Sequence, residues 1–345
     1  MEKTNLVTLG IIGFKKISFL ILGMAVITAI ALKLGLEDVY HIIVGISLYG
    51  IFFMVILQVI SLFLSAYSLY ILLIEKSTNC SMYEVFKIQL IGSFVESITP
   101  SVKLGGEPVK IYLLKQSTGL SYSELTAMLL VTKFYSLLSF LAILAAALLI
   151  GIMYLELPSI IYFSFAGLIG FLILFYTFFN INKFFPKNKN DVKKEKRNFM
   201  SNLRLVKKVN SFLDTMANFL LKTSKCSEEM LKDYKKALKL LVISSIVWML
   251  YPLKVVLVAY LLGFSINPII SVIGTFGAYA VSMLPLFPGG LVSFEGTLTF
   301  ILSLDSLMPY EAFSVSVVTR IITFWIPLIF SGIVSLNLLY GNSKK

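Results

Sequence analysis

LLVTKFY (residues 129–135) and SVVTRII (residues 316–322) decide how this chain is read. Each sets one cation, Lys133 or Arg320, behind a Val-Thr pair in an apolar run long enough to cross a bilayer. A charge at that depth costs about 3 kcal/mol on insertion scales, so it persists only where it has a partner or a ligand. Its recurrence behind the same two residues points to a repeated unit.

Composition sets the class. Of 345 residues, 58% are hydrophobic and 14% charged, with a mean hydropathy of +0.89. Soluble domains carry roughly 25% charged residues. Apolar runs of about twenty residues or more recur without strict alternation. An all-α integral membrane protein is the reading, because a backbone in lipid must satisfy itself within helices or a closed barrel.

The runs fall at residues 17–36, 42–74, 125–155, 159–181, 240–262 and 311–337, giving about six transmembrane helices. The first follows Lys15 and Lys16, and Ala29-Ile30-Ala31 also fits a signal-peptide cleavage site. The repeat needs this run as a helix. The run 42–74 is too long for one upright span, so it tilts or extends past the bilayer.

Two segments are broken. In 85–115, an apolar stretch runs into Thr99-Pro100 and then Gly105-Gly106-Glu107-Pro108. In 267–307, the break is MLPLFPGGLVSFEG (283–296), with Pro288, Gly289, Gly290 and Glu295. Proline and paired glycine stop a helix. Lys87, Lys110 and Lys115 flank the first break on both sides, which describes a re-entrant hairpin.

Charge orients the chain. Residues 183–239 hold 16 Lys+Arg against 6 Asp+Glu. Between apolar spans this is a cytoplasmic marker that also attracts anionic lipid headgroups, and no nucleic-acid partner is expected. Within it Phe199, Leu203, Val206, Leu213, Met216 and Leu220 recur at helical spacing, predicting an amphipathic helix on the membrane or against the bundle. With both termini in the cytoplasm, the outer connections 37–41, 155–158, 263–266 and 305–311 contain no Lys or Arg. Cys80 and Cys226 then lie on the inner side, where thiols stay reduced.

The order is span, span, hairpin, span, twice over, with the second set entering from the opposite face. Residues 1–158 and 159–345 are therefore the halves of an inverted repeat, an architecture of secondary transporters. At an offset of 187, Glu124 matches Glu311, Val131 matches Val318, Thr132 matches Thr319 and Lys133 matches Arg320. Each half offers a hairpin with a glutamate and a following helix with a cation. Lys133 and Arg320 either pair with Glu107 and Glu295 or hold an anion such as a lipid phosphate, and the two roles are compatible. Lys254 either lines the same cavity or snorkels outward. Glu96 is either a coupling carboxylate or the partner of Lys103. Pro100, Gly105, Gly106, Pro288, Gly289 and Gly290 form hairpin apices, not phosphate loops. His41 reads as surface, and Trp248 and Tyr251 as packing.

PSVKLGGEPVKIYLL and LPLFPGGLVSFEG followed by VTRIITFWIPLIFSG resemble the flippase-like lysylphosphatidylglycerol synthase transmembrane family over nearly the whole chain. The resemblance implies a multi-pass lipid translocase domain. In bacterial relatives this domain accompanies an aminoacyl-transferase and moves aminoacylated phosphatidylglycerol; in some archaeal relatives it is fused to a glycosyltransferase acting on dolichyl phosphate. The basic segment here is too short for either soluble domain. Lys133 stands where the pattern leads one to expect Arg, and an ammonium meets a phosphate as a point charge rather than as a fork.

The leading function is translocation of an anionic or modified lipid or a polyprenyl-phosphate carrier, without enzymatic chemistry, cofactor or metal. The alternatives are an accessory or scaffold subunit for a separate lipid-modifying enzyme, and a membrane-embedded lipid-active enzyme.

Overall fold

The computed structural model describes residues 36–76, 80–99, 105–154, 204–283, 288–305 and 307–342, with single positions at 28, 29, 32, 33, 163, 167 and 170. The expected spans 17–36 and 159–181 fall almost wholly outside these residues, as does the first half of the basic segment.

The described residues are helical, with no sheet among them. The order is α1 (Leu36–Val44), α2 (Leu48–Ile74), α3 (Met82–Ile98), α4 (Glu107–Thr118), α5 (Tyr122–Tyr154), α6 (Arg204–Leu231) and α7 (Tyr234–Leu261). Then follow α8 (Pro268–Ser282), a 3-10 turn (Pro288–Gly290), α9 (Ser293–Leu302), α10 (Pro309–Arg320), a π-helical segment (Ile321–Trp325) and α11 (Ile326–Asn342). Among the described residues four elements are long and apolar enough to span a bilayer: Leu48–Ile74, Tyr122–Met153, Tyr234–Leu261 and Pro309–Asn337. The shorter Pro268–Ser282 is also apolar.

Local chemistry sets the helix ends. Ser81 and Glu84 form a reciprocal capping box at α3, at 3.2 and 3.1 Å. Ser121 and Glu124 do the same at α5, which therefore starts at Tyr122 rather than at 125. The Asp233 carboxylate accepts from the Lys235 and Lys236 amides, so α7 starts at Tyr234 and takes three lysines assigned to the basic segment into its first turns. Hydrogen bonds from Lys236 hold the Asp233 carboxyl below the ordinary aspartate range.

One expectation changes, and one of two alternatives is selected. The apolar run 42–74 is not one tilted helix. It breaks at Gly45-Ile46-Ser47, and Ser47 is extended (φ −62°, ψ 133°). The separate α1, which includes the expected connection 37–41, lies along α10 with Val39 against Phe313. Burial of that apolar face outweighs continuation of the helix. The amphipathic segment, in turn, is a helix packed on α5, with Thr223, Ser224 and Ser227 buried.

Both broken segments are helical hairpins: α3 packs on α4, and α8 on α9. Thr99 leaves the helix with φ −101° and ψ 132°, and the chain re-enters at Gly106-Glu107. The turn Pro288–Gly290 of the second hairpin rests on α3 of the first, with Gly289 near the Ser97 carbonyl. Gly289 and Gly290 have φ of 64° and 70°, and a Cβ on Gly289 would strike the Phe324 ring.

Among the described residues two large apolar cores fill the bundle, beside the smaller Val39–Phe313 contact. One joins α5, α7, α8, α9 and α10 through Phe140, Val255, Phe276 and Leu298. The other joins α2, α3, α4 and the first half of α5 through Leu72, Val85, Leu114 and Met128. A polar cavity lies at their junction.

Candidate functional site

The cavity has a volume of about 270 Å³ and is bounded by α2, α3, α4, α5, α7 and α8. It opens within helices that are otherwise apolar. On α2, Ser61, Ser65 and Ser68 face it at spacings of four and three, a polar stripe at helical period. Gln89, Ser93 and Glu96 of α3 and Thr132, Lys133 and Ser136 of α5 complete most of its polar wall.

Glu107 sits at the N-terminal end of α4, where the unpaired amides favour a carboxylate. Its Oε1 lies 3.0 Å from Lys133 Nζ and 3.2 Å from Lys110 Nζ. The two lysines differ. Both border the cavity, but Lys110 is enclosed, with 6% side-chain exposure, whereas Lys133 is 36% exposed. Glu107 Oε2 is buried and takes no hydrogen bond from the described residues. Two glycines permit the arrangement. A Cβ on Gly92 would strike the Lys110 stem, and one on Gly106 would strike the Gly92 carbonyl. Gly106 thus serves close helix crossing rather than phosphate binding, with Gly105 beside it in the turn.

Arg320 has a different setting from Lys133. Its Nε lies 3.2 Å from Glu295 Oε1, and its guanidinium donates to the Gly289 carbonyl. The rings of Phe294 and Phe324 flank it at 4.6 and 4.4 Å. Arg320 is 4% exposed and Glu295 1%, and neither lines the cavity. Of the two roles open to Arg320, the contacts are those of pairing with its hairpin glutamate, away from this cavity. The second cation fastens its hairpin tip to the following helix, because two rings, a carboxylate and a carbonyl surround the guanidinium.

Lys254 does not snorkel. It is fully enclosed, donating to Gln58 Oε1 at 2.5 Å and Ser61 Oγ at 3.0 Å. Its ammonium also lies 4.3 Å from the Tyr251 ring centre. A lysine stem reaches outward only if the helix face is open, and α2 closes this one. Glu96 borders the cavity, while its expected partner Lys103, like Pro100, lies outside the described residues. Pro288, Gly289 and Gly290 form one 3-10 turn. His41 lies on α1, edge-on to Tyr40.

Trp248 and Tyr251 are packed in an aromatic cluster with Phe140, Phe276 and Tyr279, and they also form cavity wall. Trp248 Nε1 donates to Ser136 Oγ at 3.0 Å. Lys110, the α2 serines, Gln58 and Tyr279 were missed from sequence. Lys110 was legible as the i+3 partner of Glu107, and the serines as a periodic polar stripe.

A family model described as lysylphosphatidylglycerol synthase TM region matches residues 16–331. The chain belongs to that family. This member of the lysylphosphatidylglycerol synthase TM region family is an integral, multi-pass membrane protein. It is 25% identical over 259 residues to a UPF0104 membrane protein of Methanothermobacter thermautotrophicus, covering 72% of this chain and 73% of the relative. It is 23% identical over 344 residues to a UPF0104 membrane protein of Pyrococcus horikoshii, covering 94% and 97%. No solved structure matches.

Proposed function

We propose that this protein translocates a membrane lipid by holding its anionic headgroup in the polar cavity beside Glu107, Lys110 and Lys133. The observation that carries the reading is Lys133: a partly open ammonium, paired with a carboxylate, at the wall of a roughly 270 Å³ space between apolar helices. An entering phosphate exchanges for part of the Glu107 contact, forming a charge-assisted bond where water is scarce. A phospholipid substrate also fits the family description. Lys133 and Lys110 meet the headgroup, whereas Arg320 and Glu295 hold the second hairpin in place.

The reading includes an inverted repeat with both termini and the basic segment in the cytoplasm. Matching contacts support the repeat. Glu124 Oε2 accepts from the Ser121 amide at 3.0 Å, and Glu311 Oε2 from the Met308 amide at 2.8 Å. Lys133 and Arg320 each follow on the same element and each pair with a hairpin glutamate. The second hairpin's turn resting on α3 of the first brings together two broken elements between which access can alternate.

A second reading is an accessory subunit for a separate lipid-modifying enzyme. It is favoured by α6, which packs on α5 and carries exposed Lys222 and Lys225 as a basic docking face. Purified protein in liposomes with fluorescent anionic and zwitterionic lipids separates the two. Transbilayer movement without a partner, lost in Lys133→Gln, is the expected result. Movement only with an added enzyme supports the accessory reading, and chemical turnover of the lipid by the purified protein overturns translocation as its activity.

A further inference from the structure

Lys254 lies in α7 two residues after Pro252, and α2 closes over it. Its ammonium bonds two neutral oxygens, Gln58 Oε1 and Ser61 Oγ, and faces the Tyr251 ring. Among the described residues no carboxylate oxygen lies within 4.0 Å of it. Buried cations are ordinarily paired with an opposite charge, so one bonded only to neutral groups needs a reason.

The cavity supplies that reason. Ser61 and Tyr251, two of the three groups that hold Lys254, are also cavity wall. Among the described residues the charged wall groups are Glu96, Glu107, Lys110 and Lys133, two of each sign, so that set is neutral by itself. Lys254 stands one side chain behind it and adds one positive charge to that set. Nearby Arg320 contributes no further excess, because Glu295 balances it. Tyr251 and Tyr279 complete the titratable groups on this side of the cavity. Within closely packed helices the field of an enclosed charge is screened far less by salt than that of a surface lysine.

We propose that Lys254 determines the charge selectivity of the cavity: it touches no ligand, yet its unbalanced ammonium makes a neutral wall prefer a singly charged anion over a zwitterion. The ligand class is a monoanionic phosphate or phosphodiester. The assignment rests on the cavity being the binding site, as proposed above. It goes further by placing selection on a residue outside the contact surface.

Gln58 gives the test. Gln58→Glu sets a carboxylate on Lys254 with almost no change of shape and cancels its charge. Gln58→Met removes the same hydrogen bond without adding charge. The probes are inorganic phosphate at pH 6, short-chain phosphatidylglycerol and zwitterionic short-chain phosphatidylcholine. Binding is read from the fluorescence of Trp248 in a Trp325→Phe background, with thermal stability measured in parallel. Gln58→Glu weakens both anionic probes about tenfold and abolishes the preference over phosphatidylcholine, with stability kept or raised. Gln58→Met retains the preference. An unchanged preference in Gln58→Glu, or an equal loss in both variants, overturns the proposal while leaving the lipid reading intact. Phosphate binding with this pattern but no phosphatidylglycerol binding supports the charge role and refutes the lipid reading. Failure of the wild type to bind either anion overturns both.

Discussion

Glu107, at the start of one hairpin helix, and Lys133, in the middle of the next long helix, meet at 3.0 Å on the wall of a polar cavity. Lys110 contacts the same carboxylate oxygen from one turn away, at 3.2 Å. One buried carboxylate thus orients two ammonium groups. Lys133 is the more exposed of the two.

Replacement of Lys133 therefore separates function from folding. Lys133→Gln leaves Glu107 with Lys110, so the stability cost is about 1 kcal/mol or less, as for other partly exposed pairs. Lipid movement in liposomes falls sharply. Glu107→Ala leaves two ammonium groups without their carboxylate and costs about 3 kcal/mol, read as a lowered denaturation midpoint in detergent. Equal stability loss in the two variants would contradict the difference in exposure.

Arg320 behaves in the opposite way. Arg320→Ala removes the guanidinium between Phe294 and Phe324 and strands Glu295, costing about 3 kcal/mol or more. Arg320→Met with Glu295→Gln removes both charges and recovers much of that loss. Thermal denaturation of the single and double variants decides it; an Arg320→Ala protein as stable as the wild type would refute the fastening role.

Gly106 tests the helix crossing. Gly106→Ala drives a methyl into the Gly92 carbonyl, a backbone atom that cannot swing aside. Overpacking of this kind costs about 1–3 kcal/mol. Gly119→Ala meets open space, but its φ of 71° adds strain, and its cost is smaller. A ranking of denaturation midpoints with Gly106→Ala above Gly119→Ala would refute the close crossing.

The cap at Asp233 predicts a pH effect. Its carboxyl is depressed below the ordinary value of 3.8 by hydrogen bonds from Lys236. The stabilisation is therefore complete above the unfolded value and is lost as pH falls through the lower folded one. The midpoint advantage of wild type over Asp233→Asn should persist at neutral pH and vanish in strong acid. An advantage that grows in acid would have the wrong sign.

The proposed orientation rests on the basic segment. Asn190→Cys should resist an impermeant thiol reagent in intact cells and label after permeabilisation. Ready labelling from outside would reverse the proposed topology.

Sequence by itself determined the helical membrane class and the two broken segments, and it named the glutamates and cations whose pairing it left open. Apolar length, helix-stopping Pro and Gly, and the cost of an intramembrane charge are local or one-dimensional quantities, so they are legible in a string. Val-Thr-Lys and Val-Thr-Arg read as equivalent on that basis. Only the tertiary structure distinguished them, because exposure depends on which helix lies opposite. The tip of the second hairpin and two Phe rings close around Arg320, whereas small serines opposite Lys133 leave a cavity. The same limit hid Lys254. Its position along α7 suggested an outward reach, but α2 covers that face and supplies Gln58 and Ser61 from a remote part of the chain. The break at Gly45–Ser47 was decided in the same way, since burial of Val39 against Phe313 is a contact between distant segments that no local pattern records.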